Sequence, residues 1–255
     1  LDAVLSRGQT LDSPALGSKL APPDAALAMA IVGETLRRLP DLDDLIDSAT
    51  RQRLPDDSKA RMVLRLALAQ KAALPTPDHA IVATALPLVA GGPRRLVHGV
   101  LGTLVRRGVA LPDAPTLPAQ VEARWREAWD EQMVLAARHA IAQRPPLDLS
   151  FGDDEASQAY PLGHSLAARH RRIADAGAVT ALPAFADGIF WIQDLAASLP
   201  ARLMPAGPAE ILDLCAAPGG KTTHLAALMG NEGAVVAVGR HEGRAGGPRR
   251  TADRL

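Results

Sequence analysis

Cysteine and aromatic residues are scarce in this sequence of 255 residues. Cys215 is the single cysteine, and Phe, Trp and Tyr together make up only 3% of the chain. One cysteine excludes an intrachain disulfide framework and a multi-cysteine zinc site, so a reducing, cytoplasmic setting and no bound metal are expected. With so few aromatic rings, base-stacking platforms are scarce, and any contact with nucleic acid would depend on arginine and the backbone.

A net charge and a long apolar run are missing as well. The 28 basic and 28 acidic residues cancel, which excludes a strongly basic protein but not a basic face. No signal peptide and no run long enough to span a bilayer is found, so no membrane partner is expected. With 47% hydrophobic residues the chain can build a normal core and more than one domain. Leu1 already stands inside a helical pattern, which predicts an incomplete N-terminus.

The stretch from Ile211 to Leu225 is the most informative part of the sequence. A short apolar run that contains Asp213 gives way to small residues and Pro218, and then to Lys-Thr-Thr and apolar residues at helical spacing. This pattern predicts a strand, a tight turn and a helix. Such a turn brings main-chain amides close to a ligand at a helix N-terminus, where unpaired N–H groups and the helix dipole favour an anionic group such as a carboxylate.

Two nucleotide-binding motifs fail at this turn on spacing. A P-loop would need its first glycine at Cys215, although Gly220-Lys221-Thr222 fits its end. The dinucleotide pattern would need a third glycine at or near Thr222 or Thr223. What remains is Asp213-x-Cys-x-Ala-x-Gly, an acidic residue followed by small residues at every second position.

That layout is typical of the glycine-rich loop of S-adenosylmethionine-dependent methyltransferases. The run Asp-Leu-Cys-Ala-Ala-Pro-Gly-Gly-Lys-Thr over 213–222 resembles the cofactor loop of the Sun/NOL/NOP family of RNA cytosine-5 methyltransferases. The resemblance implies S-adenosyl-L-methionine as cofactor. The cofactor-binding residues would be Cys215, Ala216, Ala217, Pro218, Gly219, Gly220 and Lys221. The alternative is a helix-opening turn in some other α/β domain.

The first 110 residues show helix after helix, without a convincing alternating strand. Helix starts are predicted at Pro22-Pro23-Asp24, Asp56-Asp57-Ser58, Pro77-Asp78 and just after Gly91-Gly92-Pro93, and Pro40 is predicted to end the first of these helices. Short connections imply a compact bundle. The order of these helices resembles the NusB-type all-helical RNA-binding domain, the usual N-terminal partner of the Sun-type ribosomal RNA methyltransferases, which implies ribosomal RNA as partner.

Paired arginines are the candidate RNA contacts, because they could neutralise phosphates. They lie in the helical region and in the densest positive run of the chain, Arg169-His-Arg-Arg172: Arg94, Arg95, Arg169, Arg171 and Arg172. The alternative for each is a solvated helix end.

Between the helical region and the turn, Leu111 to Pro118 is a proline-rich connector and the best domain boundary. Apolar residues every four positions then predict one long helix over 121–141, in which Trp125 and Trp129 are expected to be core residues. Residues 145–151 resemble the family's entry into a small α+β segment, but Gly152 and the acidic residues after it break the strand expected there.

Residues 183–199 predict a turn, a short strand and a helix, and Gln193-Asp194 matches a family pair expected to orient local structure beside the cofactor. A buried strand is predicted over 233–238. The fold normally ends such a strand with a carboxylate that accepts the ribose hydroxyls, but position 239 is Gly239, so a lower cofactor affinity is expected. The next residues, Arg240 to Arg244, resemble the start of the family's following helix.

No catalytic residue is assigned. Methylation at carbon 5 of cytosine needs a thiolate that adds to carbon 6 and a base that removes the proton. The resemblance places the family's nucleophile and a second cysteine well downstream of the loop, and Cys215 cannot replace them because it lies inside the cofactor turn. We expect a chain that is truncated or altered by a reading-frame change near Val238 and that is inactive alone.

The sequence thus predicts an all-α NusB-like helical bundle followed by a partial α/β Rossmann-like S-adenosylmethionine-dependent methyltransferase domain. The predicted divisions are a helical RNA-binding domain over 1–115, a linker helix and small pre-catalytic segment over 116–182, and the incomplete methyltransferase domain over 183–255. The predicted function is cytosine-5 methylation of 16S-type ribosomal RNA by a cytoplasmic monomer. The alternative is an RNA-binding or transcription-antitermination module without catalysis.

Overall fold

The computed structural model describes residues 1–11, 20–73, 76–108, 110–230 and 232–239. The chain divides into two compact units, Leu1–Arg144 and Pro145–Leu255, and each is described by itself. The domain boundaries expected near residues 115 and 182 stay predictions. The predicted helix start at Arg240 to Arg244 lies outside the described residues.

The first unit is helical throughout the described residues, apart from loops and one short 3₁₀ turn. Its helices are α1 (Asp2–Leu5), α2 (Pro22–Arg37), α3 (Leu39–Ser48), α4 (Lys59–Ala73), α5 (Asp78–Ala85), α6 (Gly91–Arg106), α7 (Ala119–Ala128) and α8 (Glu131–Ala142). The helix starts predicted at Pro22 and Pro77 are confirmed, since these residues stand at the first position of α2 and just before α5. The start predicted after Pro93 is wrong by three residues, because α6 already begins at Gly91. Pro40 follows the end of α2 and sits in the first turn of α3, where its missing N–H costs nothing.

Helix α4 lies at the centre of the first unit, packed against α2, α3, α5 and α6. Its neighbours contribute fully buried residues to one core cluster that includes Leu42, Leu64 and Leu104. Two arginines of α4 are buried as well, Arg61 at 0% and Arg65 at 3% exposure. Periodicity alone did not predict them inside the bundle.

Acidic residues of α3 compensate the two buried guanidinium groups. Arg61 binds the carboxylate of Asp47 through two bonds of 2.7 and 3.0 Å, and Arg65 binds that of Asp43 through two bonds of 2.7 and 2.8 Å. Such bidentate pairs are short and directional, so they fix the register of α3 against α4.

The single long helix predicted over 121–141 is wrong. Helix α7 ends at Ala128 and α8 begins at Glu131, because Asp130 caps α8 and accepts a hydrogen bond of 2.8 Å from the amide of Met133. The core assignment of Trp129 is also wrong, since it is 61% exposed. Trp125 is half-buried and meets Trp129 edge to face, with ring centroids 6.2 Å apart.

The second unit contains two small sheets with helices. Its elements are β1 (Leu147–Phe151), α9 (Asp154–Ala159), β2 (His170–Ile173), β3 (Phe190–Ile192), α10 (Leu195–Arg202), β4 (Ala209–Asp213), α11 (Gly220–Leu228) and β5 (Gly233–Ala237). The first sheet is antiparallel in the order β2-β1-β3, and the second pairs β4 and β5 in parallel. The predicted fold class, a helical bundle followed by a partial α/β domain, is confirmed.

All three phenylalanines and the one tyrosine of the chain gather in the core behind the antiparallel sheet. Phe151, Tyr160 and Phe190 lie with ring centroids 5.5 to 5.9 Å apart, and Phe185 is 6.1 Å from Phe190. These rings stabilise the unit by burial and edge-to-face packing and are therefore not a base-stacking surface.

The end of β1 and the exposure of β5 test two predictions about strands. The expected break at Gly152 is confirmed, since β1 ends at Phe151 and Asp153 caps α9 with a bond of 2.7 Å from the amide of Ala156. The buried character predicted for 233–238 is wrong: β5 forms, but Val236 is 58% exposed. Helix α11 packs against this small sheet, and the opposite face is open in the described part of the chain.

Candidate cofactor site

The predicted strand, turn and helix are β4, residues 214–219 and α11. Residues Ala209 to Asp213 pair in register with Gly233 to Ala237 of β5. Beyond the strands, the amide of Val238 donates to the Asp213 carbonyl (2.8 Å), and the amide of Ala216 donates to the Val238 carbonyl (3.1 Å). The turn therefore begins at the carboxyl ends of two parallel strands, the edge at which open α/β sheets bind ligands.

The carboxylate of Asp213 organises this turn. One oxygen accepts a hydrogen bond of 3.2 Å from the amide of Cys215, and the other accepts one of 2.7 Å from the hydroxyl of Thr222. A single side chain thus joins the end of β4, the start of the turn and the first turn of α11. The sequence singled out Asp213 as part of the motif, but only the structure shows what it holds.

The start of α11 leaves main-chain donors available. Gly219 precedes the helix with φ +117°, a conformation that favours glycine, and offers no side chain to cap it. The amides of Gly220, Lys221 and Thr222 have no acceptor within the helix, as in any first turn. By contrast, Asp153 and Asp194 cap the two preceding helices of this unit. An anionic group of a ligand could take the place of the absent cap at α11.

The structure places the seven predicted cofactor-binding residues in one continuous segment. The side chains of Cys215, Pro218 and Lys221 are exposed, whereas Ala216 and Gly219 are buried. Ala217 and Gly220 are half-buried, and the peptide bond between Ala217 and Pro218 is cis. The segment is therefore accessible on one side and packed on the other. That these residues bind a cofactor stays a prediction.

Three buried side chains with polar atoms lie behind the turn. Trp191, Gln193 and His224 are 2%, 6% and 2% exposed, and the side-chain oxygen of Gln193 contacts both other residues. Gln193 was predicted to orient local structure. His224 was not predicted, because one histidine at helical spacing carries no signal of its own.

A buried carboxylate, that of Asp148, contacts the start of α10. Asp148 of β1 accepts two hydrogen bonds of 2.7 Å from Arg172 and one of 2.8 Å from the amide of Leu195 at the start of α10. Burial alone would raise the pKa of Asp148, but these bonds outweigh it and lower the pKa to about 2. His170 lies 3.4 Å from the same carboxylate, and burial lowers its pKa against the attraction of Asp148.

The predicted RNA-contacting arginines have different surroundings. Arg94 and Arg95 are exposed near the start of α6, and Arg94 donates a hydrogen bond of 3.4 Å to the carbonyl of Leu86. Arg171 donates to the carbonyls of Ser157 and Gln158 at 2.5 and 2.7 Å, and Arg172 holds Asp148. The helix-end alternative for this run is wrong, because His170–Ile173 is strand β2.

Arg169 lies just before β2 and adopts a left-handed backbone (φ +54°). Its amide donates a 2.8 Å hydrogen bond to a carboxylate oxygen of Asp154. The structure does not test whether any of the five arginines contacts RNA.

Gly239 follows the end of β5 beside the turn and is exposed. A Cβ atom added there would meet nothing within 4 Å, so the position has room for an acidic side chain that the sequence does not supply.

Neither a membrane-crossing helix nor a metal-binding cluster is found in the described residues. None of their helices is long and apolar enough to cross a bilayer. They also contain no group of three or more His, Cys, Asp or Glu side chains that could hold a metal ion.

Comparison with known families matches both regions of the chain. The model of the NusB family matches residues 5–106, and that of the 16S rRNA methyltransferase RsmB/F family matches residues 200–255. The second match contains the whole of the candidate turn.

Two curated relatives agree with these matches. A probable ribosomal RNA small subunit methyltransferase B from Synechocystis is 30% identical over 256 residues, which cover 87% of this chain and 56% of the relative. The ribosomal RNA small subunit methyltransferase B of Shigella flexneri serotype 5b is 32% identical over 274 residues, 96% of this chain and 62% of the relative. The chain thus spans less than two thirds of the length of these relatives.

Among solved structures, the crystal structure of PH0851 shares the fold. It aligns with a TM-score of 0.66 at 16% identity and covers 92% of this chain and 59% of its own. The resemblance predicted from the turn and the helices is confirmed by the two family matches and the relatives. Along the sequence, the chain thus matches first the NusB family and then the RsmB/F family of 16S rRNA methyltransferases, and it is similar to ribosomal RNA small subunit methyltransferases B over most of its length.

Proposed function

We propose that this chain binds S-adenosyl-L-methionine at the turn after β4 and serves cytosine-5 methylation of small-subunit ribosomal RNA. The observation that carries the proposal is the turn held by Asp213, which leads into an α11 without a side-chain cap. The match of residues 200–255 to the RsmB/F family of 16S rRNA methyltransferases supports the reaction class.

The residues of the turn fit the methionine end of this cofactor. The first-turn amides of α11 would bind its carboxylate, and the small side chains before them keep the backbone accessible. Cys215, Ala216, Ala217, Pro218, Gly219, Gly220 and Lys221 form this segment. When bound, the cofactor supplies an electrophilic methyl group. Gly239 offers no carboxylate to the ribose hydroxyls, so the affinity should be lower than in proteins that have one.

Ribosomal RNA is the proposed partner of the helical unit. Arg94 and Arg95 project from the start of α6 within the residues matched to the NusB family, where they can meet phosphates. Arg171 and Arg172 are less free to do so, because their guanidinium groups make bonds of 2.5 and 2.7 Å to the protein, whereas Arg94 makes a longer one of 3.4 Å. We place the protein in the cytoplasm as a monomer.

Methyl transfer itself needs a nucleophilic thiolate that these 255 residues do not offer outside the turn. Cys215 is their one cysteine and lies in the turn, next to the proposed carboxylate site. We propose that these 255 residues do not methylate RNA by themselves.

A second candidate function is an RNA-binding or antitermination module that does not use the cofactor. The absence of a carboxylate at Gly239 and the buried core formed by the described helices of the bundle favour it. Separate titrations with cofactor and with RNA distinguish the two functions. RNA binding without any cofactor response would favour the module.

The cofactor titration uses calorimetry with S-adenosylmethionine and its demethylated product. We expect saturable binding, and at least a tenfold weaker affinity in Asp213→Ala, because the turn and the first turn of α11 lose their common acceptor. The matched control is Asp187→Ala, which removes a carboxylate of the same unit outside the turn. Absence of heat from the folded, unsubstituted protein would contradict the proposal.

A further inference from the structure

Three buried side chains behind the turn connect β3, α10 and α11. The indole N–H of Trp191 donates to the side-chain oxygen of Gln193 at 2.9 Å, and Nδ1 of His224 lies 3.3 Å from the same oxygen. The amide nitrogen of Gln193 faces the carbonyl of Ala197 at 3.4 Å. The rings of Trp191 and His224 meet edge to face, with centroids 5.6 Å apart.

This geometry determines which nitrogen of His224 carries the proton. An indole N–H can only donate, so the oxygen of the Gln193 amide, not its nitrogen, must face Trp191. That oxygen can only accept, so the Nδ1 atom of His224 facing it must carry a hydrogen. Burial, together with the positive charges of Arg202 and Arg169, lowers the pKa of His224 to about 4, so the imidazole is neutral at pH 7.

Gln193 also lies beside the first residue of α11. A Cβ atom added at Gly220 would lie 3.4 to 3.6 Å from the Gln193 side chain, which is ordinary contact distance. His224 is four residues further along the helix, hence on the same face one turn later. Gln193 thus packs beside the first turn of α11 and binds its second turn through His224.

We propose that His224 is a positioning residue for the cofactor turn and acts together with Gln193, for which the sequence already predicts an orienting role. Through their hydrogen bond they set where the first turn of α11 lies, and therefore where its free amides point. This inference rests on the proposed function, because it assigns a task to residues that do not themselves reach the ligand.

The test compares two substitutions of His224 that differ in one hydrogen bond. His224→Asn keeps a donor near the position of Nδ1, whereas His224→Leu removes it with little change in volume. We expect the affinity for S-adenosylhomocysteine, measured by calorimetry, to fall by roughly tenfold in the leucine variant and by less than about threefold in the asparagine variant. Gln193→Met should resemble the leucine variant.

A matched control separates positioning from general stability. Tyr160→Phe removes the 3.1 Å bond from the tyrosine hydroxyl to the carbonyl of Pro183, away from the turn. Thermal melts should show a loss of stability in this variant with unchanged cofactor affinity. If His224→Leu binds as tightly as the unsubstituted protein, the positioning role is overturned while the proposed function stands. If the unsubstituted protein binds no cofactor, both are overturned.

A measurement on the unsubstituted protein keeps the inference open to refutation even if the leucine variant fails to fold. Long-range ¹⁵N–¹H NMR of the histidine side chains reports which ring nitrogen is protonated. We expect His224 in the Nδ1–H form at pH 7. The Nε2–H form would overturn the hydrogen bond on which the positioning role depends.

Discussion

Gly239 is the position at which the proposed cofactor site lacks a carboxylate. The residue is exposed at the end of β5, and its backbone is not in the left-handed region. A Cβ atom added there would meet nothing within 4 Å, so an aspartate could be accommodated without a steric clash.

Restoring the carboxylate is the first prediction. Gly239→Asp should strengthen binding of S-adenosylmethionine by about tenfold, because a charged acceptor for two ribose hydroxyls contributes on the order of 1.5 kcal/mol. Calorimetry measures the change, and Gly239→Ala serves as the control for the loss of glycine. Equal affinities in the aspartate and alanine variants would contradict the expectation.

Two glycines of the second unit have similar backbone angles but different surroundings, so substitutions at them distinguish backbone strain from steric clash. Gly233 and Gly207 have similar positive φ angles, +108° and +111°. A Cβ atom at Gly233 would lie 2.1 Å from the carbonyl oxygen of Ala209 and 2.7 Å from the side chain of Met229, whereas one at Gly207 would meet nothing within 4 Å. Gly233 therefore permits the close approach of β5 to β4.

Alanine at these two positions should have unequal costs. Gly207→Ala is expected to lower the free energy of unfolding by about 1 to 2 kcal/mol through backbone strain alone. Gly233→Ala should lower it by about 3 kcal/mol or more, because overpacking adds to the same strain. Urea unfolding of both variants checks this order. Equal losses would show that the close approach to Ala209 adds nothing to the cost of backbone strain.

At the scale of elements, buried ion pairs join strands and helices that lie far apart in the sequence. Asp148 of β1 binds Arg172 of β2 and the first amide of α10, so one carboxylate holds three elements. Its side chain is 1% exposed, whereas that of Arg172 is 30% exposed. If the pair is broken, water can therefore solvate the guanidinium group of Arg172 but not the carboxylate of Asp148.

This difference predicts an asymmetry between two substitutions. Arg172→Met should destabilise the protein more than Asp148→Asn, by about 3 to 5 against about 2 kcal/mol, because it leaves a buried carboxylate without its cation. In Asp148→Asn, by contrast, the guanidinium group of Arg172 loses its partner but can turn toward water. Urea unfolding at pH 7 measures both values, and a larger loss in Asp148→Asn would contradict the prediction.

At the scale of the whole molecule, the second unit combines buried neutral histidines with a buried ionised carboxylate. Burial lowers the pKa values of His224 and His170 below the ordinary value, and hydrogen bonds lower that of Asp148 to about 2. Each group therefore makes folding depend on pH in the same direction.

Acidification should accordingly destabilise this unit in two stages. Below pH 6.5 the unfolded chain binds protons on the histidines while the folded chain does not, so stability falls until His224 itself protonates near pH 4. From about pH 4 down to about 2 the contribution of Asp148 is lost in turn. Urea unfolding followed by Trp191 fluorescence, with Trp125 and Trp129 replaced by phenylalanine, measures this profile. His224→Asn should flatten the upper stage, and an unchanged slope there would contradict the assignment.

The parallel sheet of the second unit has one apolar face in contact with solvent. Leu212 and Val236 are paired neighbours at 59% and 58% exposure, and Leu214 and Val238 continue the same face at 65% and 43%. Parallel sheets usually have both faces covered, so this surface is unusual for the fold in the described part of the chain.

Polar substitution of this face should reduce its affinity for apolar probes. The double variant Leu212→Thr with Val236→Thr is expected to bind less anilinonaphthalene sulfonate and to self-associate less, with stability changed by about 0.5 kcal/mol or less. Dye fluorescence and sedimentation velocity measure these effects. Leu203→Thr, at an 86% exposed residue outside the two strands, is the control. Dye binding equal to that of the unsubstituted protein would show that the face is not accessible.

Local signals in the sequence determined much of this protein. Proline and acidic residues marked the helix starts, and the change from an apolar run to small residues predicted β4, the turn and α11, because such signals act over a few neighbouring residues. The same reasoning was wrong where two local signals competed. At Asp130 a helix cap interrupted the apolar period that predicted one long helix.

Only the tertiary structure decided which polar groups became buried partners. Arg61 with Asp47, Arg172 with Asp148 and His224 with Gln193 are separated by 14, 24 and 31 residues. The exposure of Val236 likewise depends on what packs over its strand. The residue types alone could not predict these outcomes, because burial and partners arise from the packing of distant elements, whereas the cofactor turn was predictable because nearly all of its geometry is encoded in consecutive residues.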